Sequence, residues 1–153
     1  MISKKTKYGL RALIYLAQQP KNEPVLISEL ATQEGIPKKF LEQILLDLKN
    51  HGILQSKKGK GGGYALSKAP SQIMMGQIVR ILNGPLAPTL CVSQTAYQKC
   101  EECPDEKTCG VRIMMKEVRD AMASVLDRMS LADVVRDIQM VKQGKDSPLM
   151  FSI

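Results

Sequence analysis

Hydrophobic residues recur at helical spacing in the first part of the chain. Over residues 3–19 they fall at i, i+3, i+4 and i+7, and Pro20 ends the run. This stripe consists of Leu10, Leu13, Ile14 and Ala17. The pattern predicts an amphipathic first helix.

Two further helices follow with a tight connection between them. Ser28 is a candidate cap for a short helix over 29–34, which Gly35 closes. Pro37 then stands where a first-turn proline is favoured, and a third helix runs to Gly52. Its apolar stripe is Leu41, Ile44, Leu45 and Leu48. Two helices joined in this way are typical of a helix-turn-helix.

A small hairpin is predicted directly after the third helix. Residues 53–57 and 64–67 have the pattern of strands, and the turn over 58–63 is rich in glycine. A hairpin in this place is the wing of a winged helix-turn-helix. It could be an ordinary exposed turn, but the lysines Lys57, Lys58 and Lys60 favour contact with DNA.

The second half begins with a helix and a long loop. Ser71 is a candidate cap for a fourth helix, which Asn83 and the Gly-Pro pair after it terminate. Its inward residues are Met75, Ile78, Val79 and Leu82. The segment up to residue 110 has no sustained period and is predicted to be a loop that holds all four cysteines.

A long helix is predicted over 111–128, which would span about 30 Å. Its apolar stripe is Val111, Met114, Val118, Ala121 and Val125, beside a row of Met115, Met122 and Met129. Such a stripe usually packs on its own domain, but here it follows a loop outside a core that is already closed, which favours a dimer interface. Ser130 and Asp133 then resemble a capping box at the start of a last short helix.

These elements predict a mainly α fold with a small β-hairpin. We expect a winged helix-turn-helix domain over 1–84 and a cysteine-containing sensor loop over 85–110. A dimerisation helix and a short final helix follow over 111–142, and residues 143–153 form a flexible tail.

Composition and charge narrow the function. A chain of 153 residues with 44% hydrophobic and 24% charged residues is typical of a globular protein, and no apolar run approaches the ~20 residues of a membrane span. We therefore expect a cytoplasmic protein without membrane contact. Residues 1–70 carry 12 basic against 5 acidic side chains, and residues 71–153 carry 10 of each. This one-sided charge suits a polyanion, although a solvated basic face is the alternative.

The four cysteines are the candidate chemical site. Cys91, Cys100, Cys103 and Cys109 lie within 19 residues, and a cytosolic chain favours metal or redox roles over structural disulfides. An iron-sulfur cluster, a structural zinc and a reversible disulfide are all compatible with the set. Zinc ribbons usually have two close cysteine pairs, whereas this chain has one.

No catalytic set is visible. His51 is the only histidine, and its position at the end of the third helix favours a capping or DNA-proximal role. Because the chain has no second histidine, no Ser-His-Asp set can be built. No phosphate-binding Gly-Lys-Ser/Thr motif occurs either. We expect that the protein is not an enzyme.

Three motifs resemble those of the iron-sulfur cluster regulator (IscR-like) family of bacterial winged-helix transcription factors. They are KYGLRAL over 7–13, IPKKFLEQIL over 36–45 and KGGGYAL over 60–66, in family order and spacing. The resemblance covers residues 1 to about 135. It implies a homodimer whose third helix enters the major groove of a palindromic operator while the wing follows the minor groove.

The resemblance also implies which residues bind DNA. Lys38, Lys39, Phe40 and Gln43 correspond to the exposed start and face of the recognition helix, with Lys57, Lys58 and Lys60 on the wing. The lysines would mainly hold phosphates, while Gln43 could read a base edge.

Cluster-binding members of that family usually have three cysteines before the dimer helix, and Cys91, Cys103 and Cys109 are their counterparts. Cys100 is additional, and Arg112 stands where a fourth ligand would be expected. Ligation by all four cysteines is the simplest completion, and a ligand from the partner subunit is less favoured. The cluster could be 2Fe-2S or 4Fe-4S, and zinc or no cofactor are the alternatives.

The leading hypothesis is therefore a cytoplasmic, dimeric, DNA-binding repressor controlled by an iron-sulfur cluster in the cysteine loop. A thiol-disulfide sensor on the same fold is the first alternative. A zinc-stabilised interaction protein is the second.

Overall fold

The computed structural model describes residues 2–145. It contains α1 (Lys4–Ala17), α2 (Ile27–Glu34), α3 (Lys38–Asn50), β1 (Leu54–Lys57), β2 (Gly63–Leu66), α4 (Met75–Asn83), α5 (Gly110–Leu126) and α6 (Leu131–Lys142). Short 3-10 turns lie at Pro20–Asn22, Pro70–Gln72 and Leu90–Val92. The mainly helical fold with one antiparallel hairpin is the predicted one. Of the predicted flexible tail, residues 146–153 lie outside the described residues.

The core lies where α1, α3 and α4 meet, and α6 covers it. Its fully buried members include Leu13, Leu16, Leu41, Ile44, Leu45, Leu48, Ile78 and Leu131. The predicted stripe of α3 is buried in full, so the opposite face of this helix is available to solvent. Gly9 brings α1 close to α3 and α4, since a Cβ there would lie 2.2 Å from Leu82 Cδ1.

Two helix starts differ from the sequence prediction. α2 begins at Ile27, before Ser28, and α4 begins at Met75, after a 3-10 turn that contains Ser71. Neither serine caps a helix. At α4 the N–H of Met75 donates instead to the carbonyl of Met129, 2.9 Å away. This partner comes from a distant part of the chain. By contrast, the capping box of Ser130 and Asp133 at α6 is confirmed.

The helix α5 has no buried residue. One side carries Arg112, Met115, Arg119 and Leu126, which are only partly exposed. Another side presents what we call the apolar stripe, which consists of Val111, Met114, Val118 and Val125, each between 41% and 59% exposed. Within residues 2–145, no helix combines the length and the apolar character that crossing a bilayer requires.

Candidate functional site

The exposed face of α3 carries three of the predicted DNA-binding side chains. Lys38, Lys39 and Gln43 are exposed because the apolar stripe of the helix faces the core. Neither lysine makes an ion pair with any side chain of residues 2–145. Their charges are therefore free to attract an anion.

Phe40 is tied to the first helix. Its ring lies edge-on to Tyr8 of α1, with ring centroids 5.7 Å apart, and 37% of the residue is exposed. An edge-to-face pair of this kind fixes the position of both rings. Phe40 thus anchors the start of α3 as well as bordering its exposed face.

Asp47 connects Gln43 with α1, a link that the sequence prediction missed. The Asp47 carboxylate accepts a hydrogen bond from Nε2 of Gln43 at 3.1 Å and lies 2.6 Å from Nζ of Lys5. The Lys5 ammonium and the Gln43 amide hold the pKa of Asp47 below its ordinary value, so this carboxyl is ionised at neutral pH. Helical spacing places Gln43 and Asp47 together, but only the fold brings Lys5 beside them.

The end of α3 is fixed by two further contacts. Nδ1 of His51 lies 2.7 Å from the carbonyl of Asp47, and Nζ of Lys49 donates to Ser56 Oγ at 2.6 Å. His51 is the C-terminal cap residue of α3, which agrees with its predicted capping role. Lys49 joins the helix to β1.

The wing presents its lysines on the outside. Lys57, Lys58 and Lys60 are exposed, and none of them forms an ion pair in the part of the chain that the structure describes. Gly59 and Gly61 adopt positive φ angles of 88° and 72°, which allow the tight turn between the strands.

The base of the wing is held by the segment that precedes α2. Tyr64 exchanges backbone hydrogen bonds of 2.9 and 2.8 Å with Val25. The Asn22 side chain donates to the Leu66 carbonyl at 2.8 Å and accepts from the Leu66 N–H at 3.0 Å. The wing is therefore attached to the rest of the domain through β2 and does not stand alone as a two-stranded ribbon.

All four cysteines line one cavity of about 770 Å³. Cys100 is exposed and the other three are partly exposed, so the thiols are accessible from solvent. Cys91 lies in the 3-10 turn Leu90–Val92, and its carbonyl accepts from Arg112 Nε at 3.2 Å. Arg119 Nη1 donates to the neighbouring Val92 carbonyl at 2.7 Å. Two arginines thus attach this turn to α5, and Arg112 serves as a tether for Cys91.

Cys103 and Cys109 line the same cavity, and their pKa values are shifted in opposite directions. Cys109 is the N-terminal cap residue of α5, and the backbone N–H of Arg112 together with the Cys103 thiol lowers its pKa. Burial and the hydrogen bond to Cys109 raise the pKa of Cys103. A thiol at a helix N-terminus beside a second thiol is the arrangement of a reactive pair.

The four cysteine thiols are the kind of ligand that holds an iron-sulfur cluster, and they line one accessible cavity. Within residues 2–145, no three histidine, cysteine, aspartate or glutamate side chains already converge as a metal site. Binding would therefore require cysteines of the loop to move closer together.

The far end of α5 is joined to the first domain. Arg80 of α4 and Asp127 after α5 form a two-contact ion pair with N–O distances of 2.5 and 2.9 Å. A Cβ on Gly76 would lie 1.9 Å from the Asp127 carboxylate, so glycine leaves room for this pair. Leu131 N–H also donates to the Ile73 carbonyl at 2.8 Å. These contacts connect α5 with the domain that carries α3.

The family model Rrf2, described as an iron-dependent transcriptional regulator, matches residues 2–137. A Rhodobacter capsulatus protein described as rrf2-like is 41% identical over 138 residues, which are 88% of this chain and 92% of that protein.

Two solved structures share the fold at greater sequence distance. The structure of CymR, the global cysteine regulator of Bacillus subtilis, has a TM-score of 0.73 and 32% identity, and the match covers 89% of this chain and 96% of that one. The structure of IscR from T. potens has a TM-score of 0.70 and 26% identity, over 99% of this chain and 93% of that one.

Proposed function

Because this chain belongs to the Rrf2 family of transcriptional regulators and is not an enzyme, we propose that it acts as a homodimeric repressor on a palindromic operator. We further propose that an iron-sulfur cluster held by Cys91, Cys100, Cys103 and Cys109 controls its binding to double-stranded DNA. The three sequence motifs predicted a resemblance to IscR-like winged-helix regulators, and this resemblance and the winged-helix fold are both confirmed.

The exposed lysines support the DNA contacts. Lys38, Lys39 and the wing lysines Lys57, Lys58 and Lys60 lie on α3 and on the ribbon that follows it, where a helix-turn-helix domain meets its duplex. These charges would hold phosphates and release counterions. Gln43 would contact a base edge in the major groove, with Phe40 at the border of the contact.

The apolar stripe supports the homodimer. Val111, Met114, Val118 and Val125 are exposed on a helix that contributes no buried residue to its own domain. Pairing of two such stripes about a two-fold axis would remove them from water. The same axis would place two recognition helices for the two halves of a palindrome.

The cavity shared by the four cysteines is the observation that carries the cluster proposal. Cys103, Cys109, Cys91 and Cys100 would hold a 2Fe-2S or 4Fe-4S cluster through their thiolates. When bound, such a cluster supplies a redox-active group whose potential depends on its ligands and exposure. Cys109 starts α5, and Arg112 and Arg119 attach the Cys91 turn to the same helix, so a change in the loop would act on α5.

Metal analysis of protein purified without oxygen tests the cluster. We expect a brown protein with visible absorbance and with iron and sulfide in similar amounts. Replacement of Cys103 by Ser should remove the absorbance and leave the far-ultraviolet circular dichroism unchanged, since the loop lies outside the core. A colourless protein with stoichiometric zinc would contradict the proposal.

Binding to duplex DNA at several salt concentrations tests the wing. Replacement of Lys58 and Lys60 by Ala should weaken binding to all sequences alike and reduce the log-log salt slope by about one for each lost phosphate contact. The matched control is Lys116→Ala on α5, which removes a lysine from a different element. Equal salt slopes for the wing variant and the unaltered protein would contradict the assignment.

A thiol-disulfide sensor is the second candidate function, and the position of Cys103 and Cys109 in one cavity, with Cys109 at the start of α5, favours it. In this reaction two thiols and one hydrogen peroxide give one disulfide and two waters. The Cys109 thiolate would attack the peroxide oxygen, and the Cys103 thiol would then displace hydroxide from the sulfenic acid. Peroxide treatment of iron-free protein followed by peptide mass spectrometry would detect a Cys103 to Cys109 link. Absence of that link, with DNA binding insensitive to peroxide, would exclude this function.

A further inference from the structure

We propose that Asp47 is a positioning residue that orients the Gln43 amide, so that Gln43 selects adenine in the major groove. The proposal rests on the proposed function, because it requires α3 to enter that groove. It concerns the contact between Gln43 Nε2 and Asp47 Oδ1 at 3.1 Å and the contact between Asp47 Oδ2 and Lys5 Nζ at 2.6 Å.

The first step is the direction of the amide. An ionised carboxylate can only accept hydrogen bonds, so the group of Gln43 that faces Asp47 must be its NH₂. One N–H of Nε2 is then engaged by Asp47. The carbonyl Oε1 and the second N–H remain for a ligand outside the protein. A free glutamine would instead present either end of its amide.

The second step is the match to a base. Adenine presents an N6 amino donor and an N7 acceptor in the major groove, which pair with Oε1 and with the remaining N–H. Guanine presents two acceptors, N7 and O6, so Oε1 would face an acceptor. Cytosine offers a donor for Oε1 only, and thymine offers a single acceptor and a methyl group. The fixed amide therefore favours adenine.

The third step is the charge of Asp47 itself. A lone carboxylate on a DNA-facing helix would repel phosphates, but Lys5 of α1 neutralises it at 2.6 Å. About a quarter of the Asp47 side chain is exposed, so Asp47 is less accessible to solvent than Gln43, which is exposed. Removal of Asp47 would release Lys5 for phosphate contact while leaving Gln43 free to rotate.

Removal of Asp47 should therefore raise affinity for random duplexes and lower selectivity for adenine, and these opposite changes can be measured separately. The probe is a pool of duplexes of about 20 base pairs, two helical turns, with a randomised centre. Base frequencies after selection are compared for the unaltered protein and for Gln43→Ala, Asp47→Ala and Asp47→Asn. Asp120→Ala on α5 is the control, because it removes one carboxylate from a different helix.

The unaltered protein should prefer adenine at one position of each half-site by about 5- to 150-fold, the range of a good bidentate contact. Gln43→Ala should abolish this preference only there. Asp47→Ala should move the preference at least half-way, on a logarithmic scale, toward the Gln43→Ala value and should steepen the salt slope for random duplexes by about one. Asp47→Asn, whose amide oxygen can still accept from Gln43, should be intermediate. Asp120→Ala should keep the preference.

A residue with a merely structural role would lower affinity and selectivity together. Full adenine preference in Asp47→Ala would overturn the proposal, as would guanine or thymine at the Gln43-dependent position. Lower affinity for random duplexes in Asp47→Ala would also contradict it. If the unaltered protein enriches no sequence at all, the proposed function itself fails and this inference falls with it. If Asp47→Ala does not fold, as judged by its thermal midpoint, the Asp47→Asn result decides.

Discussion

Gly9 allows α1 to pack closely against α3 and α4 because it has no side chain. A Cβ at this position would lie 2.2 Å from Leu82 Cδ1 and 3.2 Å from Ile44 Cγ2, and both neighbours are buried. Because Leu82 has little room to move, Gly9→Ala should lower the free energy of unfolding by about 1–3 kcal/mol, the usual cost of overpacking. Urea unfolding measures the difference.

Gly110→Ala is the matched control for this change. Gly110 is the first residue of α5, and nothing lies within 4 Å of a Cβ built there. The substitution should be neutral or should stabilise the protein by up to ~1 kcal/mol through helix propensity. Equal effects of the two substitutions would mean that α1 does not approach α3 and α4 as described.

Cys109 and Cys103 should differ in reactivity with alkylating reagents. The backbone N–H of Arg112 and the Cys103 thiol lower the pKa of Cys109 below its ordinary value, whereas burial raises the pKa of Cys103. Thiolate is the reactive form, so in iron-free protein Cys109 should react with iodoacetamide at lower pH than Cys103. Peptide mass spectrometry over a pH series measures both rates.

A second variant separates the two causes of this difference. Cys103→Ser should leave Cys109 acidic, because the larger effect comes from the Arg112 N–H at the start of α5. A Cys109 that reacts only at the pH of an ordinary thiol would contradict the assignment of a helix N-terminal effect.

The wing as an element depends on Asn22, which pairs with β2 although it belongs to no strand. Its side chain makes both hydrogen bonds of Leu66 that a neighbouring strand would make, and its own φ is 54°. Asn22→Gly should lose stability by about 1–3 kcal/mol, since two backbone groups lose their partner. Asn22→Ala should lose somewhat more, because alanine disfavours positive φ.

Both Asn22 variants should also bind duplex DNA more weakly if the wing contacts DNA. Thermal unfolding and fluorescence anisotropy on a random duplex measure the two effects. Stability that is unchanged in both variants would show that Val25 alone holds the wing.

At the level of elements, sequence patterns predicted what depends on local spacing. The stripe of α3, the glycine turn of the wing and the Ser130 capping box all follow from neighbours within four residues. The predicted starts of α2 and α4 are wrong, because Ser28 and Ser71 satisfy the capping rule but cap neither helix. Met75 N–H finds its acceptor at Met129, a contact no local pattern contains.

In the candidate site, too, local features could be predicted from the sequence and contacts between distant residues could not. The exposed lysines and the cysteine cluster were visible as residue types at given spacings. The contacts that hold the neighbouring groups in place were not visible. Lys5 reaches Asp47 from another helix, and Arg119 contacts Val92, which lies 27 positions earlier. Such pairs form only when the helices pack together. The periodicity of a single sequence therefore does not predict which distant residues will meet.

For the whole molecule, the contacts form a continuous route from the cysteines to α3. The Cys91 turn is attached to α5 by Arg112 and Arg119, and Asp127 after α5 is paired with Arg80 of α4. α4 in turn packs on α3. A rigid α5 would thus convert a rearrangement of the loop into a change in the distance between the two DNA-binding domains of a dimer.

The dimer itself can be tested with one charge on α5. Val118 lies in the apolar stripe and is 41% exposed, so Val118→Glu would place a carboxylate inside the proposed interface without disturbing the core. Burial of an unpaired charge is costly, and the protein should become monomeric in sedimentation equilibrium. Loss of the second domain from the complex should weaken operator binding by about 100-fold or more.

Ser124→Glu adds the same charge to the polar side of α5, where Ser124 is exposed and donates to the Ala121 carbonyl at 2.9 Å. This variant should stay dimeric, because its carboxylate remains in water. If both variants dimerise equally, the apolar stripe is not the interface. If both become monomers, the interface extends around α5 to a side whose side chains are mostly polar, which a two-fold pairing of apolar stripes does not predict.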